Sequence, residues 1–159
     1  MSKNRTLIAY ATKSGVTGEY ANIIAEVLRE KYRFDVDVLN LKEKTKPDLS
    51  QYDNIFIGSG IRMGRWYGKA KDLLKNDFKG KRVVIFLSAC SAGDPKSHDE
   101  AVTNYLDNVL VKYPHLKPVA TGAFGGRMKM FGKVQADTCD PDKVREWAEQ
   151  VGRMLAAAE

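Results

Sequence analysis

Six consecutive residues, Thr12-Lys13-Ser14-Gly15-Val16-Thr17, bring three hydroxyls, a lysine and a glycine together. They stand between an apolar run and a helical pattern. Backbone N–H groups at a helix start, with hydroxyl donors beside them, suit a phosphate. The stretch is neither GxxxxGK[ST] nor GxGxxG. An aspartyl-phosphate pocket is also excluded, because Ala11 and Thr12 occupy the positions where acids would be needed. A simple N-cap turn would use similar residues. Two further loops could hold a flat ligand. In Ser59-Gly60-Ile61-Arg62-Met63-Gly64, continuing to Trp66 and Tyr67, the glycines admit close approach and Met63, Trp66 and Tyr67 could cover a ring face. Trp66 serves equally well as a core aromatic at a helix start. In Ser88-Ala89-Cys90-Ser91-Ala92-Gly93, small residues form a second close wall and polar atoms can meet a heteroaromatic edge. An ordinary turn closing at Asp94-Pro95 is the alternative.

The elements that must position these loops follow from hydrophobic periodicity. Strands are expected at residues 6–11, 35–40, 54–59, 82–89 and 117–124. The first reads as buried on both faces, and the second alternates as an edge strand does. Helices are expected at 17–31, 66–77 and 98–112, and a last one is capped by Asp140 with Pro141 at its first position and Asp142 in its first turn. A short helix is expected in the polar stretch around Pro47. Residues 125–139 read as one long irregular segment, long enough to be functional. Strands alternating with helices require crossovers, hence a parallel sheet in one α/β domain spanning residues 1–159. Ligands of such sheets bind beyond the carboxyl ends of the strands, where the three loops lie.

Composition sets further limits. The 159 residues are 43% hydrophobic and 29% charged, as expected for a soluble globular chain. No apolar run is long enough to span a membrane, and the N-terminus lacks a signal-peptide h-region, so a cytoplasmic protein is expected. Cys90 and Cys139 form no CxxC pair and read as free thiols. His98 and His115 are far apart, with no cluster suited to a metal. Net charge is +6, and residues 62–82 carry all of it, with eight basic residues and two acids. The other 18 basic and 18 acidic residues cancel. This segment is expected to make one basic face or rim. It lacks the interleaved aromatics of a nucleic-acid platform, so no nucleic-acid partner is expected.

The loop at residues 12–17 resembles the phosphate loop of flavodoxins, [ST]-x-[ST]-G-x-[ST], and the order of elements is similar to the whole flavodoxin domain. Ile57-Gly58-Ser59-Gly60-Ile61-Arg62-Met63-Gly64 resembles the corresponding loop of flavodoxin-like, menaquinone-dependent protoporphyrinogen dehydrogenases. Gly122-Ala123-Phe124-Gly125-Gly126-Arg127-Met128 resembles their segment after the fifth strand. Those dehydrogenases carry a longer insertion there, and common flavodoxins are acidic, with asparagine frequent where Val16 stands.

The resemblance implies a five-stranded, doubly wound parallel sheet of order 2-1-3-4-5 and one FMN. By position, Thr12, Lys13, Ser14, Gly15, Val16 and Thr17 would hold its phosphate. Ser59, Gly60, Ile61, Arg62, Met63 and Gly64 on one side, and Ser88, Ala89, Cys90, Ser91, Ala92 and Gly93 on the other, would flank the ring. Trp66 and Phe124 are further candidates for ring contact. Passing an electron requires no protein acid or base, so no catalytic residue is expected. The implied function is a low-potential electron carrier between redox proteins, with acidic, ferredoxin-like partners for the basic rim and a monomeric or weakly dimeric state. The alternative is an FMN-dependent oxidoreductase of the protoporphyrinogen dehydrogenase or quinone reductase type.

Overall fold

A computed structural model describes residues 4–158. The chain runs β1 (Arg5–Ala11), α1 (Val16–Tyr32), β2 (Asp35–Asn40), β3 (Asn54–Arg62), β4 (Arg65–Trp66), α2 (Gly68–Leu74) and β5 (Arg82–Ser88). It continues through α3 (Cys90–Gly93), α4 (His98–Val102), a π-helical turn (Thr103–Asp107), α5 (Asn108–Lys112), β6 (Ala120–Phe124), β7 (Arg127–Met130), β8 (Lys133–Asp137) and α6 (Pro141–Ala157).

Five parallel strands form the sheet in the order β2-β1-β3-β5-β6, the expected 2-1-3-4-5 arrangement. Because side chains alternate along a strand, each central strand feeds two cores. Leu7, Ile55, Ile57, Ile85 and Leu87 point to one face, against Leu73, Leu74 and Leu106. Ile8, Phe56, Val84 and Phe86 point to the other, against Ile24, Leu28, Val144, Val151 and Leu155 of α1 and α6. Burial on both faces accounts for the near-continuous apolar runs of β1, β3 and β5. The Asp140 carboxylate accepts from the Lys143 N–H and caps α6, as expected from the Asp140-Pro141 pair.

Several expectations are corrected. Residues 41–51 form turns rather than a helix. β3 runs beyond residue 59 to Arg62 and folds back antiparallel on β4, with Ile61 opposite Trp66 and Arg62 opposite Arg65. Trp66 is therefore a strand residue, and α2 begins only at Gly68. The helix expected at 98–112 carries a π-bulge, which turns the Tyr105 carbonyl to accept the Trp66 indole N–H at 2.7 Å. Residues 125–139 are not irregular. They form a second two-stranded hairpin, β7–β8, separate from the main sheet.

The basic segment does not make one rim. A crossover from β3 to β5 must return the chain from the carboxyl to the amino end of the sheet. Its start, Arg62 and Arg65, lies at the first end. Its finish lies at the other, where Lys81 donates to the Tyr52 carbonyl at 2.7 Å and Arg82 donates to the Leu155 carbonyl at 2.9 Å.

The second hairpin is anchored where Gly125 passes Thr138. A Cβ on Gly125 would stand 1.7 Å from the Thr138 carbonyl oxygen, a backbone atom that cannot yield locally. Gly125→Ala is expected to destabilise the fold by about 3 kcal/mol, measured by urea denaturation, with the largest loss of amide protection in β7–β8.

Candidate functional site

The loops after β1, β3, β5 and β6 surround a cavity of about 610 Å³ at the carboxyl end of the sheet. That size lies within the roughly 300–1,000 Å³ of cofactor and small-molecule sites. One corner of it is the turn before α1. Gly15 adopts φ +91°, a left-handed conformation, and offers no side-chain cap to α1. The first N–H groups of α1 lack intrahelical partners by construction. Hydroxyls shape the turn: Thr12 Oγ1 accepts from the Gly15 N–H at 3.1 Å, and Ser14 Oγ accepts from the Val16 N–H at 3.4 Å. Thr17 Oγ1 and Ser88 Oγ share a buried hydrogen bond of 2.8 Å, which ties this turn to the end of β5.

The floor is glycine for a steric reason. A Cβ at Gly60 would come within 3.2 Å of the Tyr67 ring, 3.4 Å of Thr17 Oγ1 and 3.8 Å of Thr12 Oγ1, closing the space between them. Ser59 Oγ accepts from the Tyr67 N–H at 3.1 Å and donates to the Gly60 carbonyl, which fixes the base of the β3–β4 hairpin. The opposite wall is fastened by Thr138, whose hydroxyl donates to the Cys90 carbonyl at 2.8 Å, and by Tyr20, whose hydroxyl donates to the Gly125 carbonyl.

Four cations line the cavity, Lys13, Arg62, Arg127 and Lys129, with no carboxylate and no imidazole among the described lining residues. Arg127 is held by Asp137 at 3.1 Å and Glu19 at 3.9 Å. Burial pushes the Cys90 thiol and the Tyr67 phenol up, so neither is ionised near neutral pH. No cluster among the described residues could hold a metal ion.

A family model for the flavodoxin domain matches residues 7–135. The chain belongs to the flavodoxin family. Flavodoxin 1 of Azotobacter vinelandii is 31% identical over 76% of this chain and 71% of its own length. Protoporphyrinogen IX dehydrogenase [quinone] of Escherichia coli K12 is 32% identical over 85% of this chain but only 65% of its own length. The chain therefore spans only 65% of the length of that relative. Flavodoxin 2 of Bacillus cereus shares the fold at a TM-score of 0.65, with 24% identity and 98% and 99% of the two chains covered. Flavodoxins bind FMN, and the cavity fits it: hydroxyls and the start of α1 lie at one corner, and a glycine floor leaves room for a flat ring.

Of the residues expected to bind FMN, the structure brings eleven to the cavity: Thr12, Lys13, Ser14, Gly60, Ile61, Arg62, Gly64, Ser88, Ala89, Cys90 and Ser91. Gly15, Val16, Thr17 and Ser59 stand behind the wall and shape it through the contacts above. Ala92 and Gly93 turn away into α3, with Gly93 packed on Gly125 and Thr138. Met63 sits at a hairpin tip, 92% exposed and outside the cavity. Trp66 is buried, with its indole committed to the Tyr105 carbonyl. Phe124 is buried on the opposite face of the sheet, edge-on to Tyr20 and Trp147. Tyr67 does line the cavity, and so do Tyr105, Gly126, Arg127, Met128 and Lys129, which were not among the expected binding residues. Tyr105 arrives through the π-bulge, which periodicity does not reveal.

Thr17→Val removes the bond to Ser88 and leaves a buried hydroxyl without that partner. The apoprotein is expected to lose about 1–3 kcal/mol in urea titration, and FMN affinity should fall as the turn loosens. The Asp137 carboxyl is held down to about 2 by the Cys139 N–H, then by hydrogen bonds from the Cys139 side chain and Arg127. A carboxyl lowered in the folded state stabilises fully above its ordinary value near 3.8 and loses that contribution as pH falls toward 2. Acidification through this window should raise amide exchange in β7–β8. Asp137→Asn should raise it already at neutral pH and remove the acid step.

Proposed function

We propose that this chain carries electrons on a bound FMN between partner proteins in the cytosol. The cavity wall supports this reading: it offers cations, hydroxyls and glycines and, among the described lining residues, no carboxylate or imidazole for proton transfer. FMN supplies the redox chemistry when bound. The chain supplies position. Thr12, Lys13, Ser14 and the first N–H groups of α1 bind the phosphate, with Gly15 and Val16 setting the turn. Gly60, Ile61 and Tyr67 form one side of the ring site, and Ser88, Ala89, Cys90 and Ser91 the other.

Arg62 lines the cavity and would stand beside a bound ring, where its charge would favour negative charge gained on reduction. Arg65, opposite it across the hairpin, extends the positive field outward to partners with acidic faces of the ferredoxin kind. A second reading, an FMN-dependent oxidoreductase, draws support from the 32% identity to protoporphyrinogen IX dehydrogenase. Turnover of protoporphyrinogen with a quinone, at rates well above those of free FMN, would establish it over the carrier.

The purified protein is expected to be yellow, with one FMN per chain released by acid. Arg62→Ala should lower the midpoint potential by on the order of 30 mV in a redox titration, and Arg65→Ala by less. An unchanged or raised potential in Arg62→Ala would remove the electrostatic role. Reduction by an acidic ferredoxin should slow steeply as salt rises. A rate indifferent to salt would mean that charge does not guide the encounter.

A further inference from the structure

The rim of the cavity carries two hairpin tips built to one pattern. The first reads Arg62-Met63-Gly64-Arg65 and the second Lys129-Met130-Phe131-Gly132-Lys133. Each turns on two left-handed residues, Met63 at φ 52° with Gly64 at 76°, and Phe131 at φ 52° with Gly132 at 77°. Both hairpins also line the cavity, through Arg62 and Gly64 in one and Met128 and Lys129 in the other. They therefore flank the same opening.

Three features of these tips serve no purpose within the fold. Met63 is 92% exposed and Phe131 96%, so neither contributes to a core, and Met128, Met130 and Val134 are exposed beside them. The left-handed position disfavours bulky side chains, and asparagine or glycine would relax both turns. Arg62 and Arg65 are paired directly across the first hairpin, where like charges repel, and neither has an ion-pair partner among the described residues. No acid lies in residues 62–66 or 127–136.

We propose that these two tips dock the protein, cavity mouth first, onto an anionic lipid surface. Protruding apolar side chains bracketed by cations suit the boundary between headgroups and acyl chains, where the tip enters and the flanking Lys and Arg stay at the phosphates. Charge complementarity selects anionic headgroups, which also relieve the Arg62–Arg65 repulsion. A rigid acidic protein surface would answer the cations but would need a pocket for each protruding tip. No helix among the described residues is long and apolar enough to cross a membrane, so the contact is peripheral. This surface adds to the electron-carrier reading. A protein partner and a bilayer would cover the same opening and so exclude each other at any moment.

The test is cosedimentation of the FMN-loaded protein with vesicles of about one-third phosphatidylglycerol in phosphatidylcholine, and with pure phosphatidylcholine. Binding is expected to the first and not to the second. Met63→Asn with Phe131→Asn should lower partitioning about tenfold while leaving FMN content and the melting temperature intact, since asparagine is favoured in both turns. Lys133→Gln should weaken binding and reduce its salt dependence. Absence of wild-type binding to the anionic vesicles overturns the proposal. So does equal binding by the double asparagine variant, which would mean adsorption by charge alone. Loss of ferredoxin reduction in that variant with vesicle binding unchanged would likewise overturn it, by assigning the tips to a protein partner. A colourless protein that still binds anionic vesicles through its tips would support the lipid surface and sink the carrier reading instead.

Discussion

Thr17 Oγ1 and Ser88 Oγ meet at 2.8 Å where both residues are buried. Thr17 lies in the first turn of α1, and Ser88 is the last residue of β5, with β3 between their strands. Neither hydroxyl could be left there without a partner at small cost, because a buried polar group that loses its hydrogen bond carries its full desolvation penalty. The bond therefore fixes the height of the phosphate turn relative to the wall beyond β5. Gly60 sits between them, and its missing side chain keeps the floor open. The opposite wall depends on a similar device, with the Thr138 hydroxyl on the Cys90 carbonyl and Gly125 pressed against Thr138. The site is rigid where the phosphate and ring would lie because buried hydroxyls tie loops from distant parts of the chain.

The main sheet was legible in the sequence because its cause is local and repeated. Strands buried on both faces must be apolar throughout, and strands joined by helices must be parallel. The turn at residues 12–17 was legible for a related reason, since a helix start and the hydroxyls that shape it, Thr12 and Ser14, are neighbours in the sequence. Phe124 could have been placed by parity. It shares a face with Gly122 and Trp147, opposite the face to which Ala123 belongs. A residue at a strand's carboxyl end reaches the ligand only if the alternation points it that way.

The two hairpins were not legible. Their turns, Met63-Gly64 and Phe131-Gly132, lack the Asn-Gly or Asp-Gly pairs that mark a tight hairpin, because the first left-handed position in each holds a large apolar residue. β4 is two residues long, too short for any periodic signal. β7 and β8 are offset by a bulge near Met128 and Lys129, which breaks the alternation that would have announced them. Trp66 stayed ambiguous in the sequence because its partner, the Tyr105 carbonyl, becomes available only through a π-bulge far along the chain.

Charge shows how far composition can mislead about position. The excess in residues 62–82 seemed to define one surface, but a crossover must traverse the sheet, so the run is divided between its ends. Lys81 and Arg82 are spent on carbonyls at the amino end, holding β5 to the loop before β3 and to the end of α6. The cavity instead draws its cations from four separate segments, Lys13, Arg62, Arg127 and Lys129. Among the described residues, Arg127 alone of these four has ion pairs with nearby carboxylates. The field at the cavity therefore comes from convergence in space, and it acts where parallel strands already present helix N-termini. Both sources favour negative charge, one at the start of α1 and one at the rim, and together they suit an anionic cofactor that gains negative charge on reduction.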